Sequence, residues 1–187
     1  MKIYTKTGDK GTTLLFTGRC VPKDCPYMDA LGHIDETNST IGLAISQLPT
    51  EKPFHEVRAQ LEHIQHTLFD LGAAVATPIR EAKEKQKAKT AFSPDFTGEL
   101  EQWIDKMACE LPVLTQFILP GGHPAGAALH LARCQCRRAE RQIVPLERDG
   151  DVGSEPMIFL NRLSDYLFMA ARRVNQLTGV PETSWQR

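Results

Sequence analysis

Apolar residues recur along most of the chain at the spacing of an α-helix. From Val57 they step by four and three residues in turn as far as Val75, which is the narrow stripe of a helix packed in a bundle. A second stripe runs from Phe96 to Leu111 and is closed by Pro112. Strands alternate every second residue and do not produce this spacing. The two stripes therefore predict two amphipathic helices.

Three further segments complete the set of predicted helices. Residues 27–48 place apolar side chains on one face, and residues 124–144 place mostly small ones there, which lets a neighbouring helix approach closely. The last helix is predicted to begin with Ser154 as its N-cap and to stop at Gly179. Together the segments predict an all-α fold, a five-helix bundle.

The rest of the chain is an N-terminal segment and a lysine-rich connection. Residues 1–24 are rich in glycine and threonine and predict a strand or loop, not a helix. Residues 78–94 offer little that can be buried and predict a mobile, solvated linker in preference to a binding patch. Because 187 residues suit one compact core, we expect a single domain over 1–187, with an irregular N-terminal loop over 1–24 and the helical bundle over 25–187.

The charge balance and the cysteines limit the partners and the compartment. A formal net charge of −1 gives no overall positive field for nucleic acid or for an anionic membrane. No apolar run reaches about eighteen residues and the N-terminus is polar, so neither a membrane span nor a targeting segment is expected. The five cysteines argue against a disulfide framework, and Cys134 and Cys136 lack the further ligands of a zinc site. We expect a non-exported, cytoplasmic protein without a metal site of its own.

The stretch TKTGDKGTT near the N-terminus has the composition of a phosphate-binding loop. Gly8 and Gly11 let backbone N–H groups approach an anion, and Lys6 and Lys10 neutralise its charge. The spacing, however, matches neither the P-loop nor the dinucleotide fingerprint. A hairpin turn that needs glycines for its backbone conformation explains the same residues. A phosphate-binding loop and a hairpin turn therefore both stay open.

The stretch RCQCRRAER concentrates arginine on a helix that borders the core. Arg133, Arg137 and Glu140 follow one another at i, i+4 and i+7, whereas Arg138 points about 180° away from the inward residue Leu129. We expect Glu140 to hold Arg137 while Arg133 reaches another element. Fixed guanidinium groups favour carboxylate or phosphate partners, and a surface ion-pair network is an equally supported alternative.

Polar residues also interrupt the apolar stripes of the first and last helices. Asn38 lies inside the first stripe and Asp35 at its border, so both are expected to be at least partly buried. A buried carboxylate needs a partner, and Arg133 is the candidate, within the chain or across a subunit contact. Asn161 and Asp165 repeat the pattern in the last helix, where an asparagine that only fixes the register of the bundle is the alternative.

The connector between the third and fourth helices contains the stretch FILPGGHP with its rigid turn. Phe117 precedes the turn and could simply plug the end of the bundle. His123 follows the turn. It is either a ligand for a metal such as cobalt or, more simply, an exposed loop histidine.

Four separated pieces of the sequence form an ordered set: YTKTGDKGTT with PKD downstream, DALGHIDETNSTIG, FILPGG with CRRAER, and FLNRLSDYLF. Together they resemble the PduO-type ATP:cob(I)alamin adenosyltransferases, also called ATP:corrinoid adenosyltransferases, over nearly the whole chain. The resemblance implies a five-helix bundle that assembles as a homotrimer, with ATP and the corrinoid bound between adjacent subunits.

The resemblance also implies a reaction. The 5′-deoxyadenosyl group of ATP is transferred to the cobalt of cob(I)alamin, which gives adenosylcobalamin and intact triphosphate. ATP and cobalamin are then substrates, Mg²⁺ is expected with the polyphosphate, and a reductase and a downstream adenosylcobalamin-dependent enzyme are further partners to consider. The sequence leaves open the downstream enzyme, the electron donor, the range of corrinoids and the monovalent-ion requirement.

Roles in the family carry over to residues of this chain where the motifs match. The resemblance implies that Phe117 occupies the lower axial face of the corrin and displaces its ligand, and that Asp35 and Arg133 bridge subunits beside the site. With Arg137, these three form the implied catalytic set. The implied nucleotide contacts form an N-terminal clamp, an arginine-rich segment and a late contact: Thr5, Lys6, Thr7, Gly8, Thr13, Leu14, Lys23, Arg137, Arg138, Ala139, Glu140, Arg141 and Asn161.

Two alternatives belong to other classes of protein. A nonenzymatic corrinoid carrier or chaperone would deliver its cofactor to a partner, but Arg137, Asn161 and the N-terminal clamp argue against a carrier that has lost ATP. A structural helical oligomer would use the same polar seam only to fix its register. An assay for adenosyl transfer separates these hypotheses.

Overall fold

A computed structural model describes residues 2–4 and 6–186 of the chain. Within these residues a short antiparallel hairpin is followed by six α-helices, one short and five long. None of the described helices is both long and apolar enough to cross a membrane. In chain order the elements are β1 (Thr12–Leu14), β2 (Cys20–Pro22), α1 (Pro26–Gln47), α2 (His55–Val75), α3 (Glu84–Thr90), α4 (Asp95–Glu110), α5 (Pro124–Arg148) and α6 (Ser154–Thr178).

The five long helices form the predicted bundle around α5. Helix α5 packs along α1 on one side and along α6 on the other, while α2 lies against α1 and α4 lies against α6. The inward face of α5 carries Ala132, Cys136 and Ala139, all fully buried. Small side chains at a helix contact shorten the distance between the two axes. The prediction of an all-α, five-helix bundle is therefore confirmed.

Helix α5 is longer than the sequence predicts. An end near Val144 is expected from the pattern, but the helix continues to Arg148 with Pro145 inside it. Proline removes one backbone hydrogen bond. Ile143 and Leu146, on either side of the proline, are both buried in the core. Their packing explains why the helix continues past a residue that usually ends one.

The C-terminal end of α6 agrees with the prediction, whereas its N-cap lies one residue before the predicted one. The N-cap is Gly153, not Ser154, and no side chain caps the helix there. At the other end Gly179 adopts a φ of 68°, the left-handed conformation that glycine tolerates best. The predicted C-terminal stop is thus confirmed.

The lysine-rich connection contains the short helix α3, so the prediction of a loop was wrong for these residues. No residue of α3 is buried, which explains why its composition gives no amphipathic signal. The Gln86 side chain accepts a hydrogen bond from the Lys83 amide at 3.0 Å and donates one to the Phe16 carbonyl at 3.2 Å. Polar contacts, and not a buried face, therefore hold α3 beside the hairpin.

The hairpin of β1 and β2 is attached to one end of the bundle. The Phe16 amide donates a hydrogen bond to the Ala76 carbonyl at 2.9 Å, just beyond the end of α2. At the start of α1, the Tyr27 hydroxyl donates one to Asp151 at 2.7 Å, between α5 and α6. Burial and this hydrogen bond raise the pKa of Tyr27 to about 12. The N-terminal segment is thus placed where α2 ends and α6 begins.

Candidate functional site

Arginines of α5 line a groove between α4, α5 and α6, which we call the arginine groove. Its volume is about 630 Å³, and Arg133, Arg137 and Arg162 line it beside acidic and apolar side chains. Arg162 is neutralised, because it contacts Glu101 at 3.0 Å and Asp165 at 3.4 Å. The Arg137 guanidinium makes no hydrogen bond or ion pair with any residue that the structure describes. It is therefore available to an anion.

Glu140 is held by α6 and not by its neighbour on α5. The Asn161 side-chain amide donates a hydrogen bond to Glu140 Oε1 at 2.9 Å. The expectation that Glu140 pairs with Arg137 was wrong, because the carboxylate turns toward the amide across the helix contact. Asn161 and Asp165 are exposed, so the alternative of a core asparagine that fixes register is wrong as well.

The other members of the arginine-rich segment point in different directions. Arg138 forms an ion pair with Glu36 of α1, on the side of α5 away from the groove. Ala139 is fully buried in the core. Arg141 is exposed, and its guanidinium donates a hydrogen bond to the Arg137 carbonyl at 3.1 Å. Within one chain, only part of this segment therefore faces the arginine groove.

Two residues of the predicted N-terminal clamp are brought together. The Lys23 ammonium lies so close to Gly8 that a Cβ on Gly8 would be 2.9 Å from Lys23 Nζ. The Lys23 amide also donates a hydrogen bond to the Gly11 carbonyl at 2.9 Å, which closes the segment on itself. Glycine at position 8 thus leaves room for a cation beside the backbone.

The remaining clamp residues are accessible to different degrees. Lys6 is exposed and adopts a φ of 61°, and Thr7 is exposed too. On β1, Thr13 is half-buried and Leu14 is exposed. Thr5 lies outside the described residues.

The clamp and the arginine groove are separate within one chain. No hydrogen bond or ion pair connects the described clamp residues Lys6, Gly8 and Lys23 with Arg137 or Asn161. The clamp is attached near the start of α6, whereas the groove lies along α4, α5 and α6. A single chain therefore does not gather the whole predicted nucleotide set.

Asp35 is exposed, which contradicts the expectation that it is partly buried. It lines a second groove of about 350 Å³ between α1 and α2, which we call the Asp35 groove, together with Leu31, Asn38 and the exposed ring of Phe69. No ion pair joins Asp35 to Arg133 within the described chain, so the intrachain alternative was wrong. Asp35 stays exposed because no other element within residues 2–4 and 6–186 fills this groove.

Two buried polar atoms beside the grooves have no hydrogen-bond partner among the described residues. One is the acceptor Oδ1 of Asn38, whose Nδ2 donates to the Gln65 carbonyl at 3.2 Å. The other is the donor Nε of Arg133. Buried polar groups are nearly always satisfied in complete structures. Each groove is thus lined by a polar side chain that is not fully hydrogen-bonded among the described residues.

Phe117 does not plug the bundle, because its side chain is 81% exposed. The connector that carries it is held instead through its backbone, where the Trp185 amide donates a hydrogen bond to the Phe117 carbonyl at 2.8 Å. His123 is the N-cap of α5, and its Nδ1 accepts a hydrogen bond from the Ala125 amide at 3.2 Å. A free apolar ring is thus presented beside a capped helix.

Shifted pKa values elsewhere in α5 reflect burial and do not mark reactive groups. Burial raises the pKa of the Cys136 thiol far above its usual range, and this thiol lies 3.2 Å from the Leu160 carbonyl. Burial, with a smaller contribution from Arg133, lowers the pKa of His130. Both side chains are therefore held neutral inside the bundle.

Sequence reasoning missed two buried polar residues near the end of α6. Arg172 is 4% exposed and Asn175 is 2% exposed. Both contact the connector between α4 and α5. A signal was present in the sequence, since Asn175 follows the buried Ala171 by four residues and so lies on the apolar stripe.

Comparison with known proteins places this geometry in a family. The family model described as cobalamin adenosyltransferase matches residues 3–174. The human corrinoid adenosyltransferase MMAB is 48% identical over 186 residues, which cover 100% of this chain and 74% of the human protein. A corrinoid adenosyltransferase of Bacillus subtilis is 43% identical over 187 residues, which cover 100% of this chain and 93% of the relative.

A solved structure agrees with the whole fold. It is a variant of a PduO-type ATP:corrinoid adenosyltransferase from Lactobacillus reuteri, complexed with cobalamin and ATP. Its TM-score is 0.90 at 39% sequence identity, and the match covers 100% of both chains. The family model, the relatives and the fold agree along the length of the chain, and the chain belongs to the cobalamin adenosyltransferase family.

Proposed function

We propose that this protein transfers the 5′-deoxyadenosyl group of ATP to the cobalt of cob(I)alamin, which yields adenosylcobalamin and triphosphate. The observation that carries the proposal is the Arg137 guanidinium in the arginine groove, which pairs with no described residue and lies one helical turn from Glu140 of the Asn161–Glu140 contact. A pure scaffold has no need of an unpaired guanidinium there. The human relative, 48% identical to this chain, is named a corrinoid adenosyltransferase.

The reaction is a displacement at C5′ of the nucleotide. A cobalt–carbon bond forms with the electron pair of Co(I), and the bond from C5′ to the triphosphate oxygen breaks, so the leaving triphosphate carries the negative charge. Arg137 is positioned to stabilise that charge as it develops. No protein nucleophile is required, because Co(I) supplies the electron pair of the new bond.

The N-terminal clamp supplies the second set of contacts to the polyphosphate. Lys23 and Gly8 lie together, and Lys6 and Thr7 are exposed beside them. A cation next to exposed backbone suits a phosphate group. Mg²⁺ is usually bound by substrate phosphates and one or two carboxylates, and Glu140 is the carboxylate in contact with the proposed nucleotide residue Asn161.

Phe117 acts on the corrin by excluding a ligand. Its exposed ring offers an apolar surface that donates no electron pair to cobalt. An axial donor stabilises Co(II), so its removal makes four-coordinate Co(II) easier to reduce to the nucleophilic Co(I). The second substrate is thereby prepared for the displacement.

The site is completed between subunits of a homotrimer. Clamp and arginine groove are separate in one chain, and the half-buried Arg133 guanidinium at the arginine groove matches the exposed carboxylate of Asp35 at the Asp35 groove. Contact between the two grooves in neighbouring copies pairs these groups. The exposed Phe69 is covered by the same contact.

Compartment and partners follow from the chemistry. All five cysteines are free, which suits a reducing compartment such as the cytoplasm. Co(I) must be supplied by a reductase, and the product is a cofactor that a downstream enzyme consumes.

A single assay tests the proposal. Purified protein is mixed with cob(I)alamin and MgATP under strictly reducing conditions, and both adenosylcobalamin and free triphosphate are measured. Equal amounts of the two products are expected. Binding of the corrinoid without either product would refute the transferase and identify a carrier.

A further inference from the structure

The connector between α4 and α5 is fixed at both ends by side chains of α6. At its start, Arg172 Nη2 donates a hydrogen bond to the Pro112 carbonyl at 2.8 Å. At its end, Asn175 donates one to the Gly121 carbonyl at 3.1 Å and accepts one from the His123 amide at 2.9 Å. Two residues less than one helical turn apart on α6 thus fix the ends of the connector.

The middle of the connector is held by the C-terminal tail, residues 180–186. The Leu119 amide donates a hydrogen bond to the Thr183 carbonyl at 2.8 Å, and the Trp185 amide donates one to the Phe117 carbonyl at 2.8 Å. Ile118 and the tail form an antiparallel bridge between these two bonds. Phe117 therefore lies in a short two-stranded ribbon.

The tail in turn is fastened to α6 by an ion pair. Glu182 receives hydrogen bonds from Arg172 Nε at 2.9 Å and from Arg172 Nη2 at 3.2 Å. Arg172 is 4% exposed, and a buried guanidinium is strongly destabilised when its carboxylate is removed. One arginine therefore holds the connector and the tail at the same time.

Gly122 allows the turn of the connector to pack directly against the Asn175 side chain. Gly122 has a φ of 103°, and a Cβ there would lie 2.3 Å from Asn175 Oδ1. The backbone thus approaches the amide more closely than any other residue type permits. This contact fixes the path of the chain from Gly122 into α5.

We infer that Arg172, Asn175 and Glu182 are positioning residues that hold Phe117 in its place for the corrin. The inference rests on the proposed role of Phe117. None of the three is expected to touch a substrate in order to act, because each works through the backbone of the connector or the tail. Their loss should disturb the lower face of the corrin and leave the nucleotide contacts intact.

A merely structural role predicts something different. Val113 and Phe117 are more than four-fifths exposed, and Leu114 and Leu119 are each more than one-third exposed, so the connector contributes little to the core. Loosening it should raise its mobility without melting the bundle. A residue that only stabilised the fold would lower the melting temperature and leave Phe117 unaffected in the molecules that stay folded.

The first experiment compares Glu182→Gln with the control Glu99→Gln, which alters an exposed pair with His63 on α2. Hydrogen exchange of the Leu119 amide is measured without ligands, and the four-coordinate signal of cob(II)alamin with ATP is measured by absorption and electron paramagnetic resonance. For Glu182→Gln we expect about tenfold faster exchange and a several-fold weaker signal, with an unchanged KM for ATP. The control should match the wild type.

A second pair of variants isolates one backbone hydrogen bond. Trp185→Pro removes the N–H that binds Phe117, whereas Trp185→Ala keeps it. The proline variant should lose more of the four-coordinate signal than the alanine variant. This comparison remains informative even if Glu182→Gln folds poorly.

The outcomes separate the inference from the proposed function. Wild-type protein that makes no adenosylcobalamin refutes the function, and the exchange measurement still tests whether the tail holds the connector. Active wild type, with Glu182→Gln and Trp185→Pro unchanged in both exchange and spectra, overturns the inference.

Discussion

The Asn161 amide donates a hydrogen bond to Glu140 across 2.9 Å, and this contact joins α6 to α5 at the proposed nucleotide site. It turns the only carboxylate of the arginine-rich segment away from Arg137. The Arg137 guanidinium is left without a partner among the described residues, although Glu140 lies only three positions further along the helix. A contact between the exposed Asn161 and the half-buried Glu140 thus keeps Arg137 free for substrate.

Arg137→Ala should abolish most turnover without unfolding the bundle. Removal of one donor to charge that develops in the transition state typically lowers kcat by about 10²–10³. The free energy of unfolding should change by less than about 0.5 kcal/mol, because the guanidinium has no partner among the described residues to lose. Steady-state kinetics and urea unfolding measure the two effects. Arg148→Ala, at the exposed end of the same helix, is the control, and equal loss of stability and activity in Arg137→Ala would favour a structural role.

Asn161→Ala should weaken nucleotide binding more than it affects the chemical step. Loss of a hydrogen bond to a charged group corresponds to about a tenfold change in an equilibrium constant, so KM for ATP should rise roughly tenfold. Glu140→Gln keeps an acceptor for Asn161 but removes the proposed Mg²⁺ carboxylate, so its effect should be smaller than that of Asn161→Ala when ATP is titrated without Mg²⁺. Titration of ATP binding by calorimetry checks both variants. Identical affinities in Asn161→Ala and the wild type would exclude Asn161 from the site.

Phe117→Ala should chiefly impair formation of four-coordinate Co(II). A ring that is 81% exposed adds little to stability, so the melting temperature should stay within about 2 °C of the wild type. The spectroscopic signal of cob(II)alamin with ATP should fall strongly. Val113→Ala, in the same connector and 89% exposed, should behave like the wild type. A full four-coordinate signal in Phe117→Ala is incompatible with the role assigned to the ring.

The sequence predicts the bundle well because buried faces repeat along each helix. The stripe that ends at Val75 matches the end of α2. Gly179 ends α6 because it adopts the left-handed conformation of a helix C-cap. Pro145 shows the limit of this reasoning. Whether a helix continues past a proline depends on the packing of Ile143 and Leu146 against other helices, which no local pattern records.

The site is predicted less completely, for two physical reasons. Periodicity places Asp35 at the border of a face, but it does not tell whether another element covers that border, and no element that the structure describes does so. The anchors of the connector are likewise distant in sequence, since Asn175 binds Gly121 across 54 positions. The sequence shows that such a residue is a polar side chain on an apolar face, but it does not indicate which residue it contacts.

Burial of Tyr27 and its hydrogen bond to Asp151 should make stability fall at alkaline pH. The pKa of Tyr27 is about 12 in the folded chain against 10.0 for an unperturbed tyrosine, so the folded state holds its proton longer. This contribution to stability is complete below about pH 10 and is lost as the pH rises through about 12. Tyr27→Phe should therefore approach the wild type between pH 10 and 12 in urea unfolding. Parallel curves for the two proteins, with the exposed Tyr4→Phe as control, contradict this expectation.

Asp35→Arg should prevent assembly of the trimer, and a second reversal should restore it. The variant places a guanidinium opposite Arg133 of a neighbouring copy, and like charges brought together at an interface cost several kcal/mol. Arg133→Asp alone should also disrupt the trimer, whereas the double variant pairs the charges in the opposite sense. Light scattering after size exclusion measures the mass of each species.

The charge reversal needs a control and a second measurement, because a disrupted fold also disrupts a trimer. Glu62→Arg replaces an exposed carboxylate on α2 and changes the charge by the same amount as Asp35→Arg. It should leave the mass of the assembly unchanged. Circular dichroism should show the same helix content in all variants, since Asp35 has no partner within the described chain. Adenosyl transfer should disappear in both single variants and return in the double variant, because the site is completed only between subunits. A trimer of full activity in Asp35→Arg would show that Asp35 and Arg133 do not meet across the interface.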